Sequence, residues 1–147
     1  MKTNTINALH TTGMSFDISI GDFTIKVDAG REVGGKGLGP TPKPLMLASF
    51  AGCTGMDVVS LLNKMRIGFD SFNLKVEGEL NDEHPKKYNK ITVYYQLKGN
   101  DIPFEKVEKA VTLSLEKYCG VAAVYKQVIE VSYVIEINEE KPEPVKI

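Results

Sequence analysis

The chain has 147 residues and a mass of 16.2 kDa, with 18 Lys+Arg against 19 Asp+Glu, 42% hydrophobic and 25% charged residues. That is one domain's length with room for a core, and the composition excludes a disordered segment or a collagen-like fibre. A net charge of -1 argues against nonspecific nucleic-acid binding, which needs a basic surface, and two cysteines are too few for a disulfide scaffold. The opening residues, MKTNTINALHTTGM, hold no apolar run of signal-peptide length, so the expected compartment is the cytoplasm, where thiols stay reduced.

In chain order, a weak strand over residues 3–9 comes first. Phe16, Ile18 and Ile20 then alternate with polar residues, as do Phe23, Ile25 and Val27, and Gly21-Asp22 separates the two runs. Such a pair between alternating runs predicts a β-hairpin. Residues 29–44 hold five Gly and three Pro, a long loop of the kind that borders functional sites. The run Leu45–Leu62 approaches the length of a membrane span, but Asp57 lies within it, and a charge there is expensive in lipid. It reads instead as a helix from Pro44 to Arg66 buried among protein, with Pro44 at the first position and Lys64 and Arg66 at the far end. Apolar side chains point all round this helix, so it needs cover on every side, in part from a second copy. Gly52 and Gly55 are expected to let another backbone approach it closely.

Residues 71–80 and 89–98 alternate strongly and predict two strands joined by the polar turn NDEHPKKY. Asp101 is positioned to cap the next helix through its carboxylate. Phe104, Val107, Val111, Leu115 and Tyr118 follow at helical spacing as one apolar stripe. Cys119-Gly120 breaks it, and VAAVYKQ predicts a further short helical piece. Residues 128–137 read as a last strand and 138–147 as a loose tail. Strands, helix, strands, helix, strand predict an α+β fold in a single domain over 1–147.

Gly30 to Gly37, GREVGGKG, approaches a phosphate-binding loop, but Gly37 stands where a Ser or Thr would hold magnesium. A loop bordering a pocket is the better reading. His10 and His84 are far apart and have no close Cys or His partner, so no metal site is expected. Cys53 lies midway along the apolar helix, in AGCTGMD, and Cys119 at a helix end, in EKYCGVAAVYK. Each could be a small buried hydrophobe. If they meet, one thiol can attack a peroxide, become a sulfenic acid and condense with the other to a disulfide that an outside thiol reduces. Asp57, one turn beyond Cys53, would oppose thiolate formation if it faced the sulfur unpaired.

Residues 42–57, PKPLMLASFAGCTGMD, preceded by GGKGLGP over 34–40, resemble the signature of the osmotically inducible protein C and organic hydroperoxide resistance family (OsmC/Ohr). Tyr118-Cys119-Gly120-Val121, after an amphipathic helix, resembles its second signature. The resemblance spans nearly the whole chain. It implies an OsmC-like intertwined homodimer, two curved antiparallel sheets around long central helices, with active sites at the subunit interface. It implies Cys53 as the peroxidatic thiol and Cys119 as the resolving thiol, organic hydroperoxides as substrates and an external dithiol as reductant. No metal, haem or flavin cofactor is implied, and neither nucleic acid nor membrane is an expected partner. The implied function is a thiol-dependent peroxidase of oxidative-stress protection, with Phe50 and Met56 as apolar neighbours favouring organic peroxides. The best-known members carry a Glu before the first Cys and an Arg in the N-terminal hairpin, a pair that activates the thiolate. Here Lys43 and Pro44 stand near the first position, and residues 1–28 contain no Arg, leaving Arg31 or Lys43 as cations from the loop. That departure keeps two alternatives open, a noncatalytic small-molecule-binding protein and a redox sensor.

Overall fold

Alternating apolar and polar residues place one set of side chains on each face of a strand, and this pattern organises both sheets of the protein. The computed structural model describes residues 1–140 and 142–147, and the chain divides into two units, Met1–Met46 and Leu47–Ile147. In the first unit, β1 (Ile6–His10), β2 (Phe16–Ile20) and β3 (Phe23–Val27) form an antiparallel sheet in that order. The hairpin is as expected: Ile20 pairs with Phe23 across Gly21-Asp22, and Gly21 takes a φ of 58°. The register puts Ile6, Ile18, Ile20, Phe23 and Ile25 on one face, of which Ile6, Ile20 and Phe23 are exposed.

The Gly/Pro-rich segment after β3 is ordered around Asp28. The buried Asp28 carboxylate accepts the N–H groups of Ala29 (2.9 Å), Lys36 (2.8 Å) and Leu38 (3.1 Å). These bonds, that from Leu38 foremost, hold the carboxyl below its ordinary range. The packing requires glycine: a Cβ on Gly35 would stand 1.8 Å from the Ala29 carbonyl oxygen, and one on Gly39 2.2 Å from that of Lys26.

The second unit contains nearly all of α1 (Pro44–Lys64), followed by β4 (Ser71–Leu80), β5 (Tyr88–Lys98) and α2 (Phe104–Leu113). A π turn (Ser114–Tyr118), α3 (Gly120–Tyr125), β6 (Glu130–Ile137) and β7 (Val145–Lys146) complete it. The sheet order is β4-β5-β6-β7. Ile91, Val93, Tyr95 and Leu97 of β5 and Val131, Tyr133 and Ile135 of β6 share a core with Phe50, Val58 and Leu62 of α1 and Val107 and Val111 of α2. The mixed α+β class is the expected one.

Several local expectations are corrected. β5 and β6 run parallel, with Val93 beside Tyr133, because α2, the π turn and α3 supply the crossover that parallel neighbours need. Helix α1 ends at Lys64, and Arg66 takes a φ of 57° instead of closing the last turn. Asp101 caps nothing: Pro103 occupies the N-cap position, and Asp101 stands two residues too early. Along the α2 stripe Val107, Val111 and Leu115 are buried, while Phe104 and Tyr118 at its ends are 45% and 51% exposed. The π turn widens the spiral and rotates Tyr118 off the stripe. Within the chain, Gly55 admits the Leu74 side chain, 2.7 Å from where a Cβ would stand, and Gly52 meets no described residue within 4 Å, which leaves its face open to a second copy. The tail is not wholly loose, since β7 pairs with β6 and the Ile147 N–H donates to the Val131 carbonyl (3.0 Å). Residue 141 of that tail lies outside the described residues.

Candidate active site

Helical spacing sorts α1 into faces. Phe50, Thr54, Val58 and Leu62, four residues apart, are fully buried in the core. Cys53 and Asp57, also four apart, share the adjoining flank, and both are half-buried. Beyond the core face, Ala51, Gly52, Gly55, Met56 and Val59 line an open groove of about 590 Å³ with Phe72 and Leu74 of β4. Met56 is 72% exposed there. By length and hydropathy α1 could cross a membrane, but its Phe50–Leu62 face is seated against the sheet.

The second half of the site comes from the π turn. The Cys119 N–H bonds back five residues to the Ser114 carbonyl (2.8 Å), which ends the α2 spiral. Cys119 then restarts it as the N-cap of α3, its sulfur accepting the Ala122 N–H at 3.3 Å. Such turns recur at functional sites. This one carries both Ser114 and Cys119 to α1. The Ser114 hydroxyl donates to Asp57 Oδ2 (3.0 Å), and the Sγ atoms of Cys53 and Cys119 and a carboxylate oxygen of Asp57 lie within 4.8 Å of one another. Both cysteines are free thiols.

Cys119 is only 2% exposed. Burial, reinforced by its hydrogen bond with Cys53 and opposed by the Ala122 N–H, pushes its thiol up to about 12. It therefore keeps its proton at neutral pH.

Behind the sulfurs runs a buried chain of hydroxyls. Tyr95 OH and Thr54 Oγ1 are 2.6 Å apart, and Thr54 Oγ1 and Ser114 Oγ 2.9 Å apart. Proton counting fixes their direction. Ser114 has one hydroxyl proton and gives it to Asp57, so Thr54 donates to Ser114 and Tyr95 donates to Thr54. Burial raises the Tyr95 phenol above its ordinary range, so Tyr95 is a lasting donor.

Cys53, Cys119 and Asp57 were all legible from sequence, and the fold brings them together. Thr54, Tyr95 and Ser114 were missed. Their signal was a hydroxyl at a core position: Thr54 between Phe50 and Val58 on one helix face, Tyr95 between Val93 and Leu97 on one strand face. Phe50 belongs to the same packed core as Cys119, against which Cys53 also packs. Phe50 is wholly buried, with its ring edge-on to Tyr125 at 5.6 Å. Met56 opens on the groove, and Arg31 and Lys43 belong to the first unit. The histidines lie elsewhere: His10 Nε2 is 2.9 Å from the Gly13 carbonyl, and His84 is exposed in the β4–β5 turn. Among the described residues, the trio Cys53, Asp57 and Cys119 is the group that could hold a metal ion, one donor short of a closed structural zinc site, and one Asp57 oxygen is taken by Ser114. Its chemistry is that of paired thiols beside a carboxylate.

Residues 34–134 match the model of the family described as OsmC-like protein. Over 98 residues the chain is 32% identical to Protein YhfA of Escherichia coli K12, covering 67% of this chain and 73% of that protein. A hypothetical protein from Aquifex aeolicus VF5 has a similar structure, with a TM-score of 0.82 and 28% identity over 94% of this chain and 98% of that one. An organic hydroperoxide resistance protein OsmC from Legionella pneumophila shares the fold at a TM-score of 0.67 and 20% identity, over 92% of this chain and 98% of that one. The family match takes in both cysteine segments and the helix and strands that join them, and the chain belongs to the OsmC-like protein family.

Proposed function

We propose that this protein is a thiol-dependent peroxidase that reduces organic hydroperoxides, with Cys53 as the peroxidatic and Cys119 as the resolving cysteine. The observation that carries the reading is the meeting of two reduced sulfurs, from α1 and from the start of α3, within 4.8 Å. Exposure supports these roles. Cys53 is half-buried and reachable, whereas Cys119 is 2% exposed and holds its proton. Cys53 sulfur attacks the terminal peroxide oxygen, the O–O bond breaks, and the alcohol leaves. Cys119 sulfur then displaces water from the sulfenic acid to form a disulfide, which an external dithiol reduces. The name of the Legionella pneumophila protein supports the substrate class.

Each protomer contributes one OsmC-like domain to a cytoplasmic homodimer in this reading. The open apolar groove along α1 and the exposed Ile6, Ile20 and Phe23 of the hairpin sheet support an assembly that covers them. The departure at Lys43 and Pro44 favours a second reading, a redox sensor or binding protein, which predicts stoichiometric oxidation without turnover. The test is peroxide consumption by pure reduced protein with cumene hydroperoxide and a dithiol such as dihydrolipoamide. Cys53→Ser is expected to abolish turnover, and Cys119→Ser to accumulate a sulfenic acid that dimedone traps. Parent-like turnover in both variants would overturn the assignment.

A further inference from the structure

We propose that Asp57 is the proton-transfer group of the dithiol, aimed at both sulfurs by the hydroxyl relay Tyr95–Thr54–Ser114. This deepens the peroxidase reading and rests on it. Three observations converge. A carboxylate oxygen of Asp57 lies within 4.8 Å of each sulfur, a separation that one bridging water spans for proton transfer. Asp57 is half-buried and would otherwise be free to turn toward solvent, but its Oδ2 is anchored by the Ser114 hydroxyl at 3.0 Å. Ser114 is itself oriented by Thr54 and Tyr95, all three fully buried, so the anchor cannot turn away. Thr54 and Tyr95 are positioning residues in this scheme.

The chemistry needs such a group twice. Asp57 takes the Cys53 thiol proton as the sulfur forms its bond to the terminal peroxide oxygen. The O–O bond breaks, and the departing alkoxide takes that proton from Asp57 and leaves as the alcohol. In the second step Asp57 takes the Cys119 proton as the S–S bond forms, and hydroxide leaving Cys53 takes it back as water. The peroxide gains two electrons, the sulfur pair loses two, and Asp57 ends each step as it began. The second step has the greater need, because buried Cys119 does not ionise alone near neutral pH. The titratable groups facing Asp57 are Cys53 on its own helix, Cys119 at the start of α3 and Tyr95 on β5, with Tyr133 of β6 near Tyr95. Burial raises Cys119, Tyr95 and Tyr133, so each of those three keeps its proton, and Asp57 is the carboxylate among these groups.

The experiment follows two reactions of the full-length reduced protein in buffer with a chelator. One is stopped-flow turnover of cumene hydroperoxide; the other is closure of the Cys53–Cys119 disulfide by diamide, which oxidises the two thiols and is itself reduced to the hydrazine. Asp57→Asn keeps the shape and removes the base. It is expected to slow both reactions by about 10²-fold or more and to make the remaining rate climb with hydroxide across neutral pH. Ser114→Ala leaves Asp57 present but unanchored and should slow both by about tenfold, with Ser114→Thr restoring most of the loss. Parent-like rates and pH profile in Asp57→Asn overturn the inference. If Asp57→Asn fails to fold, the Ser114 pair decides: equal rates in Ser114→Ala and Ser114→Thr overturn it. If the parent consumes no hydroperoxide, the peroxidase reading falls, and the diamide reaction still decides the role of Asp57.

Discussion

Thr54 is the hub of the buried relay, and Thr54→Val tests it with almost no change of shape. The hydroxyl makes two hydrogen bonds, at 2.6 Å to Tyr95 and 2.9 Å to Ser114. Removing it strands the phenol proton of Tyr95 and leaves the Ser114 oxygen without its donor. Both residues are fully buried, so bulk water cannot replace what is lost. Each orphaned group costs about 1–3 kcal/mol, and the substitution is expected to destabilise by about 2–4 kcal/mol. With a urea slope of about 2 kcal/mol per molar, the unfolding midpoint falls by about 1–2 M. Tyr95→Phe removes the donor instead of orphaning it and should cost about 1 kcal/mol. Combined with Thr54→Val it removes the stranded group, so the double variant should be more stable than the sum of the singles by about 1–2 kcal/mol. Urea titrations followed by circular dichroism, at one fixed protomer concentration to hold any assembly constant, read all four proteins. Strict additivity, or a Thr54→Val cost below about 0.5 kcal/mol, would refute a tightly coupled chain of hydroxyls.

Three further outcomes are expected. The folded protein holds the Cys119 proton up to about 12, whereas the unfolded chain releases it near 9.0, so stability falls as pH rises between those values; Cys119→Ala should flatten that decline in urea midpoints, leaving the part due to the raised Tyr88, Tyr94, Tyr95, Tyr133 and Lys75. In the proposed homodimer, Val59→Asp sets a charge in the apolar groove along α1, so light scattering should read twice the 16.2 kDa chain mass for the parent and the single value for the variant; an equal mass for both argues against assembly through that groove. Asp28→Ala removes three backbone anchors from the Gly/Pro-rich loop, so trypsin should cut at Arg31 and Lys36 several-fold faster while far-ultraviolet circular dichroism is unchanged; equal cutting rates would show that the loop is held by other contacts.

The strands and helices were legible because their periods are local. Phe16, Ile18 and Ile20 specify a strand face with no knowledge of the rest of the chain, and Val107, Val111 and Leu115 a helix face. Errors fell where a neighbour in space overrode a local rule. Asp101 has the chemistry of an N-cap but not its position, and Pro103 took the place. Tyr118 keeps helical spacing in sequence but is turned outward, because the π turn inserts a residue before it. The parallel pairing of β5 with β6 follows from where the crossover helices pack, which alternation within a strand does not encode.

By itself the sequence determined the α+β class, the hairpin at Gly21-Asp22, the apolar helix with Cys53 and Asp57 one turn apart, and the family through the segments around Cys53 and Cys119. Only the tertiary structure decided that the two sulfurs meet, that Asp57 stands beside both, and that Tyr95, Thr54 and Ser114 hold it there. The physical reason is separation along the chain. Spacing of three and four residues is written in a helix's own geometry, whereas contact between α1, β5 and the π turn depends on how their buried faces pack against one another.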